Sequence, residues 1–219
     1  MRPSRRFAVL HKSASARIQR LRRLAETACI RPSDEFANAN REISFVAIEL
    51  HTTISNFARA YYLSCTLKPI TESGVRVTCS LTGANIIDAI DASMKACKHS
   101  VWIKAHGKKI WDRRDEPPWH LPSTLIDSSR EIRCSNYASI VAAFALPTMV
   151  FNHLTKFRNF YAHRSDVTRA LAQSLALHYS ILPDQHPSRI LCAAGYGRPQ
   201  ALILDWIDDV QNVIDLLCQ

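Results

Sequence analysis

The sequence predicts an all-α fold, a multi-helix bundle built on long antiparallel helices, with one short β segment near residues 75–79 as its extended element. Three observations carry that reading. Only five of the 219 residues are glycine while 47% are hydrophobic. Apolar residues recur at three- and four-residue intervals through most of the chain, and the stretch from Asp34 to Leu67 contains neither glycine nor proline. A chain of this length buries one substantial core, so the expectation is a helical domain over 32–219 preceded by a basic helical extension over 1–31.

Taken in order, Phe7, Leu10, Ala14, Ile18, Leu21 and Leu24/Ala25 form an apolar stripe with arginines opposite, an amphipathic helix from about Ser4 to Cys29. Ile30-Arg31-Pro32 breaks it. Ser33-Asp34-Glu35 then offers a cap and an acidic first turn to a second helix, running to about Leu67, that buries Ile43, Val46, Leu50, Phe57 and Tyr61. Its other face carries Glu42, Glu49, Thr52, Asn56 and Arg59, either a solvated stripe or a set that tunes charges elsewhere. The alternating run Val75-Arg76-Val77-Thr78-Cys79 reads as extended, and must pair with a loop or a second subunit, or be coil. Helical texture resumes from about Ala84 to Lys104, with Ile86, Ile87, Ile90, Met94, Cys97 and Val101 inward. A connector follows from His106 to Pro122. Ser123 caps a short helix, Tyr137 to Ala145 forms another, and Pro147 separates it from the next segment. Ser165-Asp166 opens a helix with Val167, Leu171, Leu175, His178 and Leu182 on one face. After a linker from Asp184 to Pro199, the last helix carries Asp205, Asp208, Asp209 and Asp215.

The net charge of +9 is concentrated at the amino end, where Arg2, Arg5, Arg6, Lys12, Arg17, Arg20, Arg22, Arg23 and Arg31 face Glu26 alone. Such a helix suits a phosphate backbone, an acidic partner, bare solvent or an organelle transit peptide. The connector interleaves Lys108, Lys109, Arg113 and Arg114 with Trp111 and Trp119, a mixture that fits RNA phosphates and stacked bases or, alternatively, a surface loop pinned by two tryptophans. The longest nearly apolar run, Ala138 to Phe151, is shorter than the roughly 20 residues of a membrane span, so no membrane partner is expected. Seven scattered cysteines without a Cys-x-x-Cys pair read as reduced thiols of a cytoplasmic protein. A zinc set drawn from Cys97, His99, His106 and Cys134 is set aside, because single cysteines are ordinary core residues. There is no Gly-x-Ser-x-Gly, phosphate-binding glycine loop or His-Glu-x-x-His, so no cofactor and no metal are expected.

The most informative stretch is Arg158-Asn159-Phe160-Tyr161-Ala162-His163. Arginine offers a permanent planar fork of donors to a phosphate, and histidine exchanges protons near neutral pH. RNA carries its own nucleophile, the 2′-hydroxyl, so cleavage to a 2′,3′-cyclic phosphate needs only proton transfer and charge stabilisation; DNA lacks that group. Arg158 and His163, five apart, lie about 140° apart around a continuous helix, whereas Asn159 and His163 share a face. The helix must therefore bend or begin within the motif, or two copies must meet.

Arg, Asn, three positions and His resemble the signature of the HEPN superfamily, all-helical proteins that include ribonuclease toxins and defence factors. The preceding helix, with Glu49-Leu50-His51 and Asn56-Phe57-Ala58-Arg59-Ala60-Tyr61, is similar to the one before the motif in several of those families. The resemblance implies a metal-independent endoribonuclease in a toxin or phage-defence role. Arg158 and His163 would be catalytic, with Asn159 assisting and Glu49, Asn56, Arg59 and Tyr161 in supporting positions. It also implies a symmetric homodimer with a composite site. An antitoxin or sensor protein would restrain such an activity. The alternative is a non-catalytic helical module that binds RNA or a partner protein, with His163 simply hydrogen-bonded in the fold; a weaker one is a DNA-binding regulator using the first helix.

Overall fold

The computed structural model describes residues 1–97 and 115–219. They form an all-α protein: α1 (Phe7–Cys29), a 3₁₀ turn (Ser33–Glu35), α2 (Phe36–Cys65), α3 (Ile86–Ala96), α4 (Pro122–Glu131), α5 (Tyr137–Phe144), α6 (Val150–His163), α7 (Asp166–Gln173), a 3₁₀ turn (Leu177–Tyr179), α8 (Pro187–Cys192) and α9 (Leu202–Cys218). Two compact units are assembled from non-contiguous segments. The first comprises 1–14, 54–146 and 213–219, the second 15–53 and 147–212. The long helices α1, α2 and α9 each contribute residues to both, and the residues 1–31 expected as an extension are distributed over the two units.

In the first unit the amino-terminal part of α1 buries Phe7, Leu10 and Ala14, and Phe7 stacks on Tyr61 of α2 with ring centroids 4.4 Å apart. The Tyr61 hydroxyl accepts from Asn136 Nδ2 at 2.7 Å, and the Tyr62 hydroxyl donates to the Ala89 carbonyl at 2.7 Å. Buried tyrosines are tolerated because each polar tip has a partner. On α3, Ile90 and Met94 are buried, but Ile86 and Ile87, expected inward, are 56% and 51% exposed. They sit in the first turn, ahead of the buried face formed by Ala89, Ile90, Ser93 and Met94.

The β segment expected at 75–79 is not a strand, and among the described residues there is no sheet. Ile70 makes isolated bridges to Arg6 and Arg76, with Val77 N–H donating to the Pro69 carbonyl at 2.8 Å. Gly74, at φ +86°, reverses the chain between them. One bridge on each side satisfies these amides without a ladder, so alternation there reflects Val77 turned inward and Val75 and Arg76 outward. Ser123 does not cap α4: Leu121 is the flanking residue and Pro122 opens the helix, where its missing N–H costs nothing.

The second unit is centred on α6 and the first part of α9. Val150, Leu154, Phe157, Phe160 and Tyr161 of α6 are buried, and Phe157 meets the Trp206 ring edge to face at 5.5 Å. Ile18, Leu21, Ala25, Ile43, Val46 and Leu50 complete that core. Helix α7 departs from expectation: Val167 and Leu171 are 71% and 48% exposed, and only Ala172 of the helix is buried. Leu182 is also exposed, while Leu175 is buried as expected. Among the described residues, no helix is long and apolar enough to cross a membrane.

Candidate functional site

Helix α6 begins where the Thr148 hydroxyl accepts from the Val150 N–H at 3.2 Å, and its buried face follows the 3.6-residue period through Tyr161. It stops after His163 because Arg164 adopts the left-handed conformation, φ 48°, and sends its N–H back to the Phe160 carbonyl at 2.7 Å. Ser165 then accepts from the Thr168 N–H at 3.2 Å and caps α7.

The whole motif thus lies on one continuous helix that begins at Val150, well ahead of it. Arg158 is half-buried, and its Nη1 donates to Asn159 Oδ1 at 3.1 Å. Asn159 therefore holds the guanidinium. His163, on the last turn, is exposed. With about 140° between them, Arg158 and His163 do not face the same direction within one chain.

Tyr161 is placed differently from its neighbours. It is buried, its hydroxyl lies 2.9 Å from Ser188 Oγ, and Ser188 Oγ donates to Asn40 Oδ1 at 2.5 Å. Burial pushes the phenol up from its ordinary range, so it stays protonated. This chain of three side chains ties α6 to α8 and to the start of α2. Glu49 lies in the second unit with the motif, half-exposed. Asn56 and Arg59 belong to the first unit, where Arg59 forms a two-pronged ion pair with Glu116 at 2.6 and 2.7 Å, and Trp119 Nε1 donates to the same carboxylate at 2.8 Å. Lys108, Lys109, Arg113 and Arg114, like His99, His106 and Trp111, lie outside the described residues.

Sequence reasoning missed the cations gathered near the end of α6. His186 packs edge to face against Phe160 at 5.5 Å and Phe36 at 5.2 Å, and its Nδ1 accepts from the Ser188 N–H at 3.2 Å. Burial lowers its pKa, and the charges of Arg169, Arg164 and Arg189 lower it further, which keeps the ring neutral. All three arginines are exposed, and Arg189 lies 5.0 Å from the Phe36 ring centre. They come from the α6 cap, α7 and α8, so no local pattern joins them. Also missed was His153, buried on α6 and hydrogen-bonded through Nδ1 to the Tyr179 hydroxyl at 2.7 Å. Its pKa is lowered, first by burial and then by His178 and Lys156. At this end of α6 a cavity of about 340 Å³ is lined by Thr148, His178, Arg198, Asp205, Asp208 and Asp209. Its carboxylates have partners: Asp209 the Thr148 hydroxyl at 2.6 Å, Asp205 Arg198 at 2.6 Å, and Asp208 Arg22.

Chemically, the end of α6 presents the exposed imidazole of His163, with the exposed guanidinium groups of Arg164, Arg169 and Arg189 around His186, a combination that can hold a phosphodiester and move a proton. Among the described residues, no group of three or more His, Cys, Asp or Glu side chains is placed to hold a metal ion. Comparison with known proteins gives no context beyond the chain itself: no protein family, no characterised protein and no solved structure matches it.

Proposed function

We propose that this protein is a metal-independent endoribonuclease of the HEPN kind, acting as a symmetric homodimer. The observation that supports the reading best is the exposed His163 at the end of α6, with Arg164, Arg169 and Arg189 exposed around the neighbouring His186. In this reading the cations dock the backbone of an RNA strand. His163 exchanges a proton with the 2′-hydroxyl or the departing 5′-oxygen, and Arg158, held by Asn159, offsets the negative charge that builds on the phosphoryl oxygens. Because Arg158 and His163 diverge on one unbroken helix, the pair that serves one phosphodiester comes from two copies. A toxin or phage-defence role follows from the same resemblance, with an antitoxin or sensor as the restraining partner.

The test is incubation of the purified protein with RNA in EDTA and analysis of the product ends. Cyclic phosphates and 5′-hydroxyls are expected. His163→Ala should lower the cleavage rate by roughly 10²- to 10⁴-fold, the usual worth of general acid–base help, and Arg158→Ala should also be impaired. Mixing the two variants should restore part of the activity, since one composite site then contains both native residues. Equal cleavage by folded, dimeric variants would overturn the assignment, and RNA bound intact with a steep salt dependence would point to a binding module instead.

A further inference from the structure

We infer that Cys29 and Cys192 form a reactive dithiol, a modification site at which a hydroperoxide oxidises the pair to an intrachain disulfide. The proposal does not depend on the nuclease reading. All seven cysteines are free thiols. Cys65, Cys134 and Cys218 are buried, which closes them to reagents, and of the half-exposed thiols the neighbouring Cys134 pushes up the pKa of Cys79 and burial that of Cys97. Cys29 and Cys192 differ in three ways.

Both are half-exposed, both are the last residue of a helix, and both line one open cavity of about 210 Å³. Ala28, Pro32, Ala39 and Ala193 line the same cavity together with Phe36, and its volume leaves room for an oxidant. Arg31 and Arg189 also line it. Arg31 is neutralised by Glu35 and Glu42, each at 2.6 Å, and the Arg189 guanidinium lies 5.0 Å from the Phe36 ring centre. Finally, the Cys192 thiol, which shares this cavity with Cys29, holds the Cys29 pKa below the ordinary thiol value, while the Cys29 thiol and burial raise that of Cys192. This asymmetry separates an attacking sulfur from a resolving one.

The chemistry balances in two steps. The Cys29 thiolate attacks the terminal oxygen of the hydroperoxide, the O–O bond breaks, and the sulfur becomes a sulfenic acid as the peroxide is reduced to an alcohol or water. The Cys192 sulfur then attacks the Cys29 sulfur; the S–O bond breaks, hydroxide leaves with the Cys192 proton as water, and the S–S bond forms. The bond would join the ends of α1 and α8. Helix α8 also carries Ser188, the partner of Tyr161 on the motif helix, so oxidation would stiffen the support of that helix.

Treating the reduced full-length protein with hydrogen peroxide should remove two of its seven thiols, and peptide mapping should place the cross-link between Cys29 and Cys192, reversed by dithiothreitol. Cys29→Ser should abolish it. Cys192→Ser should instead accumulate a sulfenic acid on Cys29 that dimedone captures. Without any substitution, iodoacetamide near neutral pH should alkylate Cys29 at least about tenfold faster than Cys65 or Cys134. The proposal is overturned if all seven thiols survive peroxide, if the cross-link maps to other cysteines, or if the buried thiols are alkylated as fast as Cys29.

Discussion

Arg164 carries two opposed burdens. A non-glycine residue at φ 48° pays about 1 kcal/mol for the left-handed conformation, yet its guanidinium joins Arg169 and Arg189 around His186. Arg164→Gly should therefore raise stability by about 1 kcal/mol in urea unfolding while weakening RNA binding at low salt; a variant that binds RNA undiminished would remove Arg164 from the docking surface. Tyr161→Phe deletes one of the bonds that Ser188 makes but leaves Asn40 to accept from it, so a loss of about 1 kcal/mol is expected, with no more than a small effect on RNA cleavage per folded dimer. At this scale the motif was legible because its residues are contiguous. The Asn159 bond to Arg158 was not, because adjacency in sequence does not say which rotamer a side chain takes. The cations around His186 were hidden for a different reason: Arg164, Arg169 and Arg189 belong to three elements, and only packing brings them together.

Helices were read more easily than their environments. The boundaries of α1, α2 and α5 follow from apolar spacing and from the proline and cap residues between them, all local properties. Exposure is not local. Val167 and Leu171 repeat as a buried face would, yet both remain open, as do Ile86 and Ile87, because periodicity shows that a face is apolar without showing what covers it. The segment at 75–79 failed for a related reason: alternation marks an extended chain, but a ladder needs a neighbouring strand, and here Pro69, Ile70 and Ser135 provide isolated contacts instead. Gly74 sets the turn before that segment. Nothing lies within 4 Å of a Cβ placed there, so Gly74→Ala meets no clash, and its expected cost of about 1 kcal/mol is purely that of a positive φ. Thermal unfolding of this variant measures that cost directly; an unchanged midpoint would mean the turn can adopt another conformation.

Over the whole molecule, the first unit draws together stretches far apart in sequence, and His11 shows how. Its Nδ1 meets Glu72 at 2.6 Å and its Nε2 meets Asp215 at 2.7 Å. Burial alone would lower its pKa, but the hydrogen bonds to Asp215 and Glu72 outweigh it and the pKa is raised. The folded state thus holds the proton more tightly than the unfolded chain. Its contribution is complete below about pH 6.5 and fades as the pH climbs through the raised folded value. Wild type should lose more stability than His11→Gln between about pH 6 and pH 9 in urea titrations; parallel losses would show that these contacts do not favour the imidazolium.

The same unit includes residues 213–219, where the Cys218 carbonyl accepts from the Glu72 N–H at 3.0 Å and the Gln219 carbonyl from the Ser73 hydroxyl at 2.5 Å. Those residues are translated after every other part of that core. A growing polypeptide on the ribosome cannot finish the unit while its closing segment is still inside the exit tunnel. A stalled or prematurely ended product lacking it would leave His11 without Asp215 and the Glu72 amide without the Cys218 carbonyl, a natural substrate for cellular proteolysis.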